Sequence, residues 1–221
     1  DAATLRLYIG YNRKMLKPIH REMLAAAQGD QFSVRALERI SAANIYQVRV
    51  RGQFGHAEYH FDDNAFEKSY AYIEEQRALT ISALTANEVF SAWSAFGRLT
   101  HTAQDFYSHS NYVDLWLSRQ PEGAHPAPPE IDPVDPDLLH ARLLHSGKIY
   151  PLDYLTFFHI LKPLILPLLP RDAHGWMNLD SPERGPKFQY AFQAAVKRTR
   201  LEFEQTMQGL SGEARRLFLD K

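Results

Sequence analysis

The stretch LTHTAQDFYSHSN (99–111) carries two imidazoles and a carboxylate at an interval of four residues: His101, Asp105 and His109. A helix turns about 100° per residue, so positions four apart drift by only about 40° and the three share one stripe. Trp93 and Gly97 continue that stripe towards the N-terminus and Leu117 continues it beyond His109, so its flanks are apolar or small. Polar groups on a core-facing stripe must be satisfied, because an unpaired buried carboxylate or imidazole costs on the order of several kcal/mol. Mutual hydrogen bonding is one solution. A divalent metal ion is another, and it accounts for all three residues at once, since zinc accepts neutral imidazole together with carboxylate.

Three further segments offer the same residue types. HAEYHFDDN places His56, His60, Asp62 and Asp63 together, DAHGWMNLDSPE supplies His174 and Asp180, and His20 lies in an N-terminal amphipathic stretch. The chain has no cysteine, so disulfides and thiolate metal sites are excluded and any metal must be held by His, Asp and Glu. Four separated segments with His, two of them with a nearby Asp, point to convergence on one site.

The elements that must position these residues read mainly as helices. HREMLAAA and SVRALERISAANIYQV carry apolar residues three and four apart, with Ser33 as an N-cap. A helix is expected from Phe66 to about Leu79 and another from near Thr85, through the opening motif, to about Leu117. The last runs through PKFQYAFQAAVKRTRLEFEQTM with Pro186 at its start. YQVRVRGQF is the best strand candidate. The many prolines between Pro121 and Asp137 predict a surface loop. The apolar run LTFFHILKPLILPLLP (155–170) is too short and too rich in proline to span a membrane. It reads as a buried loop or broken helix, or as an apolar surface against lipid or a substrate cleft. With 221 residues and no internal repeat, the expectation is one all-α domain, residues 1–221, with a long proline-rich mid-chain loop.

Composition narrows the partners. The chain is 45% hydrophobic and 23% charged with a net charge of −1, which reads as globular and gives no general attraction to nucleic acid. The basic stretch VKRTRLEF is balanced by Glu202 and Glu204 and reads as a solvated helix face.

HREM, YHFDDNAF, HTAQDFYSHSN and HGWMNLDSP, in that order, resemble the zinc-dependent phospholipase C superfamily, most closely its Het-C-like branch. The resemblance covers roughly residues 18 to 206, loosely between about 118 and 170. It implies an all-helical fold, two or three zinc ions and a secreted or periplasmic location, the last also drawn from the missing initiator Met. It further implies that His20 binds one zinc beside the N-terminal residue, and that His60 joins His101 and Asp105 on a second. Asp105 would bridge two metals, and His109 would begin a third site completed by His174 and Asp180. Departures are visible: the Asp105–His109 gap is shorter than the bacterial phospholipase pattern, the family's Asp between the first two His segments is absent, with Asn44 and Gln47 in that region, and the late His–acid pair is spaced differently from the classical H-x-x-x-E.

The activity implied is hydrolysis of a phosphate ester such as a phospholipid, at a membrane surface and without a stable nucleic-acid partner. Clustered zinc would lower the pKa of bound water and neutralise phosphoryl charge, with Asp62, Asp63 or Asp180 orienting the water. Phe61, Phe66, Tyr107, Tyr112 and Trp176 would then be core residues or the walls of an apolar mouth. Two alternatives stand beside it: a zinc-dependent nuclease, and a catalytically weak interaction or toxin protein in which metal holds the segments together.

Overall fold

The computed structural model describes residues 19–48, 52, 55–156 and 160–221. It is all-α, a single domain, and among the described residues β-pairing is limited to two isolated bridges, Ser110 with Ser146 and Lys148 with Ala173. The main helices are α1 (19–28), α2 (Val34–Tyr46), α3 (Phe66–Thr85), α4 (Val89–His109), α5 (Tyr112–Ser118), α6 (Lys187–Gln208) and α7 (Gly212–Leu219). Single helical turns at Ala57–His60, Pro136–Leu139, Asp153–Thr156, Lys162–Ile165 and His174–Met177 lie between them. The strand candidate YQVRVRGQF falls largely outside the described residues.

Helix α4 is the axis of the molecule, packed by α2, α3 and α6. From Leu99 to His109 every residue is buried, so the stripe that carries the histidines has no solvent side. The crossing of α2 over α4 is close because Gly97 has no side chain. A Cβ there would lie 2.4 Å from the Ile40 carbonyl oxygen and 2.7 Å from the Ala43 Cβ. Below the crossing, Phe32, Phe96, Phe203 and Phe218 form an edge-to-face cluster, with ring centroids of 5.0 Å for Phe32–Phe218 and 5.1 Å for Phe96–Phe218. Trp93 is fully buried there and donates its indole N–H to the Phe218 carbonyl, 2.8 Å away, which seats α7.

Two helix limits differ from the sequence expectation, each for a local reason. Helix α3 runs on to Thr85, and Asn87 in the left-handed region (φ 62°) makes the turn into α4. Helix α4 stops at His109, eight residues before the expected end near Leu117. Its last carbonyl, on His109, accepts from Gly147 N at 2.9 Å, Ser110 is extended and bridges Ser146, and Asn111 clasps the same segment through Leu143 O and His145 N. Ser33 caps α2 by accepting from Ala36 N, and Pro186 occupies the N-cap of α6.

The proline-rich loop lies against the body, its carbonyls bound by hydroxyls and an amine. Tyr107, Tyr112 and Tyr190 donate to Pro133 O, Asp132 O and Pro126 O, each at 2.6 Å, and Lys197 Nζ donates to Ile131 O at 2.7 Å. Within the run 155–170 the described residues form short turns, with Ile160, Leu164 and Leu168 exposed. Among the described residues no helix is long and apolar enough to cross a membrane.

Gly97→Ala is expected to destabilise the protein by about 1–3 kcal/mol, since the rigid carbonyl of Ile40 must move. Urea unfolding followed by circular dichroism measures this; an unchanged midpoint would show that α2 does not approach α4 so closely.

Candidate metal centre

Asp105 lies deep on α4, 2% exposed, and three imidazoles from three elements surround it. His60 Nδ1 stands 2.8 Å from Asp105 Oδ2, His101 Nε2 stands 3.1 Å from the same oxygen, and the two ring nitrogens are 3.2 Å apart. From α1, His20 Nε2 faces Asp105 Oδ1 at 3.5 Å. Edges of 2.8–3.2 Å are close to those of a tetrahedral site with bonds of roughly 2.0–2.1 Å, for which the edge is about 3.3 Å. Among the described residues, Asp105 Oδ1 has no hydrogen-bond partner, and neither does His101 Nδ1.

A second cluster adjoins the first at the C-terminal end of α4. Asp62 Oδ1 lies 2.9 Å from His174 Nδ1 and 3.3 Å from His109 Nδ1, while Asp180 Oδ1 lies 3.1 Å from His109 Nε2. Asp62 is fully buried, and its Oδ2 has no hydrogen-bond partner among the described residues. His60 links the two clusters: its ring serves the first, and its carbonyl accepts from His109 Nδ1 at 2.9 Å. The ligand groups His20–His101–Asp105 and Asp62–His109–His174 each present side-chain atoms within 4.8 Å of one another.

The backbone is bent to bring Asp62 inward. Phe61, Asp63 and Asn64 all occupy the left-handed region (φ 57°, 55° and 56°), a conformation that costs non-glycine residues of order 1–3 kcal/mol each. The segment 146–149 holds them there. Asp63 N donates to Gly147 O, Asn64 and Ser146 exchange two hydrogen bonds, and Ile149 N donates to Asp63 Oδ1. Gly147 is needed for this passage, because a Cβ on it would lie 2.8 Å from His174 Cα. The turn that bears His174 is positioned in its own way: buried Asp153 accepts from Gly175 N at 3.1 Å and from Tyr150 N at 3.1 Å.

Electrostatics in the clusters follow from burial and from the two carboxylates. Burial opposes the charged form of His60, but its hydrogen bond to Asp105 and that charge outweigh it and raise the pKa. For His101 burial prevails, and the pKa falls to about 4 despite Asp105. Burial opposes charge on His109 too, yet Asp180, Asp62 and Asp105 together carry it well above the ordinary imidazole value. Burial would raise both carboxylates. The His174 and His109 charges pull Asp62 down instead, and His101, His109 and His60 pull Asp105 well below its usual range.

The other residues singled out in the sequence lie elsewhere. Asp63 is exposed and serves the loop clamp, so it does not face either cluster. His56 stacks on Tyr59 at 4.3 Å and pairs with Glu58. Phe61, Tyr107 and Tyr112 are fully buried in an aromatic cluster around Phe106, and Phe66 packs against it. Trp176 lies under the Arg171 guanidinium, 4.1 Å from its ring centroid. Of these five aromatics, Phe61, Tyr107 and Tyr112 wall no mouth. Residue 1 lies outside the described residues. Sequence reading overlooked Gln104, which is buried between His20 and Thr199; its only signal was its place beside Asp105 in the motif helix.

Comparison with known proteins gives a different relationship from the one the motifs implied. Residues 16–122, just under half of the chain, match the family described as the VWA7 N-terminal domain. Its first half resembles that domain. Von Willebrand factor A domain-containing protein 7 of Rattus norvegicus is 35% identical over 104 residues, which are 45% of this chain and 12% of the relative. The Mus musculus protein of the same name is 34% identical over 104 residues, with the same shares. The chain thus spans about an eighth of the length of these relatives. No solved structure matches.

This overturns the phospholipase C relationship and the Het-C-like assignment. The phosphate-ester hydrolase activity and the nuclease alternative rested on that relationship and fall with it, so Asp62, Asp63 and Asp180 are left without a reaction to serve. The physical reason is that H-x-x-x-D-x-x-x-H records ligands sharing one helix face, which any helical His–Asp cluster requires whatever it does.

Asp105→Asn is expected to destabilise the metal-free protein by about 3 kcal/mol, as removal of one partner from a buried charged cluster does. Asp63→Asn should cost about 1 kcal/mol, the scale of one exposed hydrogen bond. Urea midpoints of the two variants measure the contrast; equal values would place Asp105 outside the supporting network.

Proposed function

We propose that the protein is a metal-stapled helical module, in which divalent cations held by histidine and aspartate join four segments of chain. The observation that carries this reading is the set of three imidazoles around one buried carboxylate whose second oxygen has no hydrogen-bond partner among the described residues. The described protein groups leave that oxygen without a hydrogen bond, a cost that buried polar atoms ordinarily avoid. Imidazole nitrogen and carboxylate oxygen together suit borderline ions such as Zn²⁺ or Co²⁺. His20, His60, His101 and Asp105 would hold one ion, and Asp62, His109, His174 and Asp180 a second. The near-complete burial of the first set favours a structural role, since structural metal sites are closed by their protein ligands.

The likeness to part of VWA7 supports a role as one region of a larger protein of that kind. In such a region the ion supplies folding free energy and fixes the relative placement of α1, α4 and the two histidine-bearing turns.

Metal analysis by plasma mass spectrometry on protein purified without chelator is expected to give one or two divalent ions per chain. Saturating Zn²⁺ or Co²⁺ at about a thousand times Kd stabilises by about 4 kcal/mol, which raises Tm by roughly 10 °C for a chain of this size. Chelator should reverse the shift. Protein that holds no ion before or after incubation with either metal, and whose Tm does not move, would overturn the proposal.

A further inference from the structure

We infer that Gln104 is a positioning residue that selects which nitrogen of His20 faces Asp105, acting with Asn44 and Thr199. The inference rests on the metal-staple reading and adds to it a group that touches no ion. It follows from where each proton in a buried network must go.

Two threonine hydroxyls begin the chain of constraints. Thr199 Oγ1 donates to Ala195 O at 2.8 Å, and Thr100 Oγ1 donates to Gly97 O at 3.0 Å. Each hydroxyl has one proton, committed to a helix carbonyl, so towards its other neighbour it can only accept. Gln104 must therefore turn its amide nitrogen to Thr199 Oγ1 (3.2 Å), and Asn44 must turn its own to Thr100 Oγ1 (3.1 Å). That leaves Gln104 Oε1 facing His20, and the Asn44 amide donates to this oxygen as well, at 3.2 Å. His20 Nδ1, 2.9 Å from Gln104 Oε1, must then carry a proton. In a neutral imidazole with Nδ1 protonated, the lone pair is on Nε2, and that is the nitrogen 3.5 Å from Asp105 Oδ1.

The network spans four elements: His20 on α1, Asn44 on α2, Thr100 and Gln104 on α4, and Thr199 on α6. All five side chains are buried, so water does not compete for these hydrogen bonds. Its orientation is set by two helix carbonyls and delivered to the ion-facing edge of a histidine through an uncharged amide. Outer partners of this kind fix the tautomer and ring orientation of a ligating histidine, and their loss ordinarily weakens metal binding by about 10–100-fold.

The test is a double-mutant cycle read by Co²⁺ titration of the full chain, with affinity taken from the ligand-field absorption band. Gln104→Leu is expected to weaken Co²⁺ binding by about 10–100-fold, and Gln104→Glu, which keeps an acceptor for His20 Nδ1 but sets a second acceptor against Thr199 Oγ1, should recover only part of that loss. In a His20→Ala background, Gln104→Leu should produce no further loss. Circular dichroism melts of the metal-free variants separate a folding defect from an affinity defect. Should Gln104→Leu fail to fold, Thr199→Val replaces it, since it removes the acceptor that orients the amide. An equal loss with and without His20, or no loss at all, would overturn the role of Gln104 and leave the staple intact. A wild-type chain that takes up no Co²⁺ would overturn the staple and this inference together.

Discussion

A carboxylate without access to water governs this structure. Asp105 is ionised in the middle of a helical core, and a charge there is tolerated only when opposite charge or strong donors surround it. The chain meets that demand by sending three histidines from three directions. The requirement explains why α4 is buried on all sides along this stretch, and why α1 and the turn at Ala57–His60 must close over it. A second buried charge is handled with protein groups alone: Glu202 is enclosed by Arg198 and Arg77 and ties α3 to α6. Both Glu202 oxygens meet a guanidinium, whereas among the described residues one oxygen of Asp105 and one of Asp62 lack a hydrogen-bond partner.

Placement of the second cluster depends on backbone that helices cannot supply. Three left-handed residues between Phe61 and Asn64 turn Asp62 inward and Asp63 outward, although the two are neighbours of identical type. The segment 146–149 supports that path with four hydrogen bonds to residues 63 and 64, and it also ends α4 by capturing the His109 carbonyl. One short extended segment thus fixes the end of the main helix, the conformation of the Asp62 turn and, through Lys148 and Gly147, the seat of His174.

Much of the helical frame was legible in the sequence. The alignment of His101, Asp105 and His109 on one stripe follows from the pitch of a helix, and Ser33 and Pro186 mark helix starts through their own chemistry. What escaped was set by distant partners. Nothing near Ser110 announces that Ser146 will pair with it, and nothing near Asp62 or Asp63 says which will be buried. Gln104 reads as an ordinary polar residue until Thr199, ninety-five positions away, is placed against it. The reaction assigned from the motif failed for another reason: ligand spacing reports the geometry of a helix face and contains no information about a substrate.

The separation of the ligating segments along the chain has a kinetic consequence. In a small metal finger the ligands lie close together, so the ion can gather them early and start folding. Here the first cluster needs α1 docked on α4 and the second needs the His174 turn docked on its end, across 81 and 65 residues of chain between His20 and His101 and between His109 and His174. Bringing such distant residues together exacts its loop-closure entropy before any ion can repay it. A cation held as proposed would therefore find a structure already formed. Its effect would fall on the rate of escape from the native state, lengthening the life of the folded chain while leaving the speed of its formation unchanged.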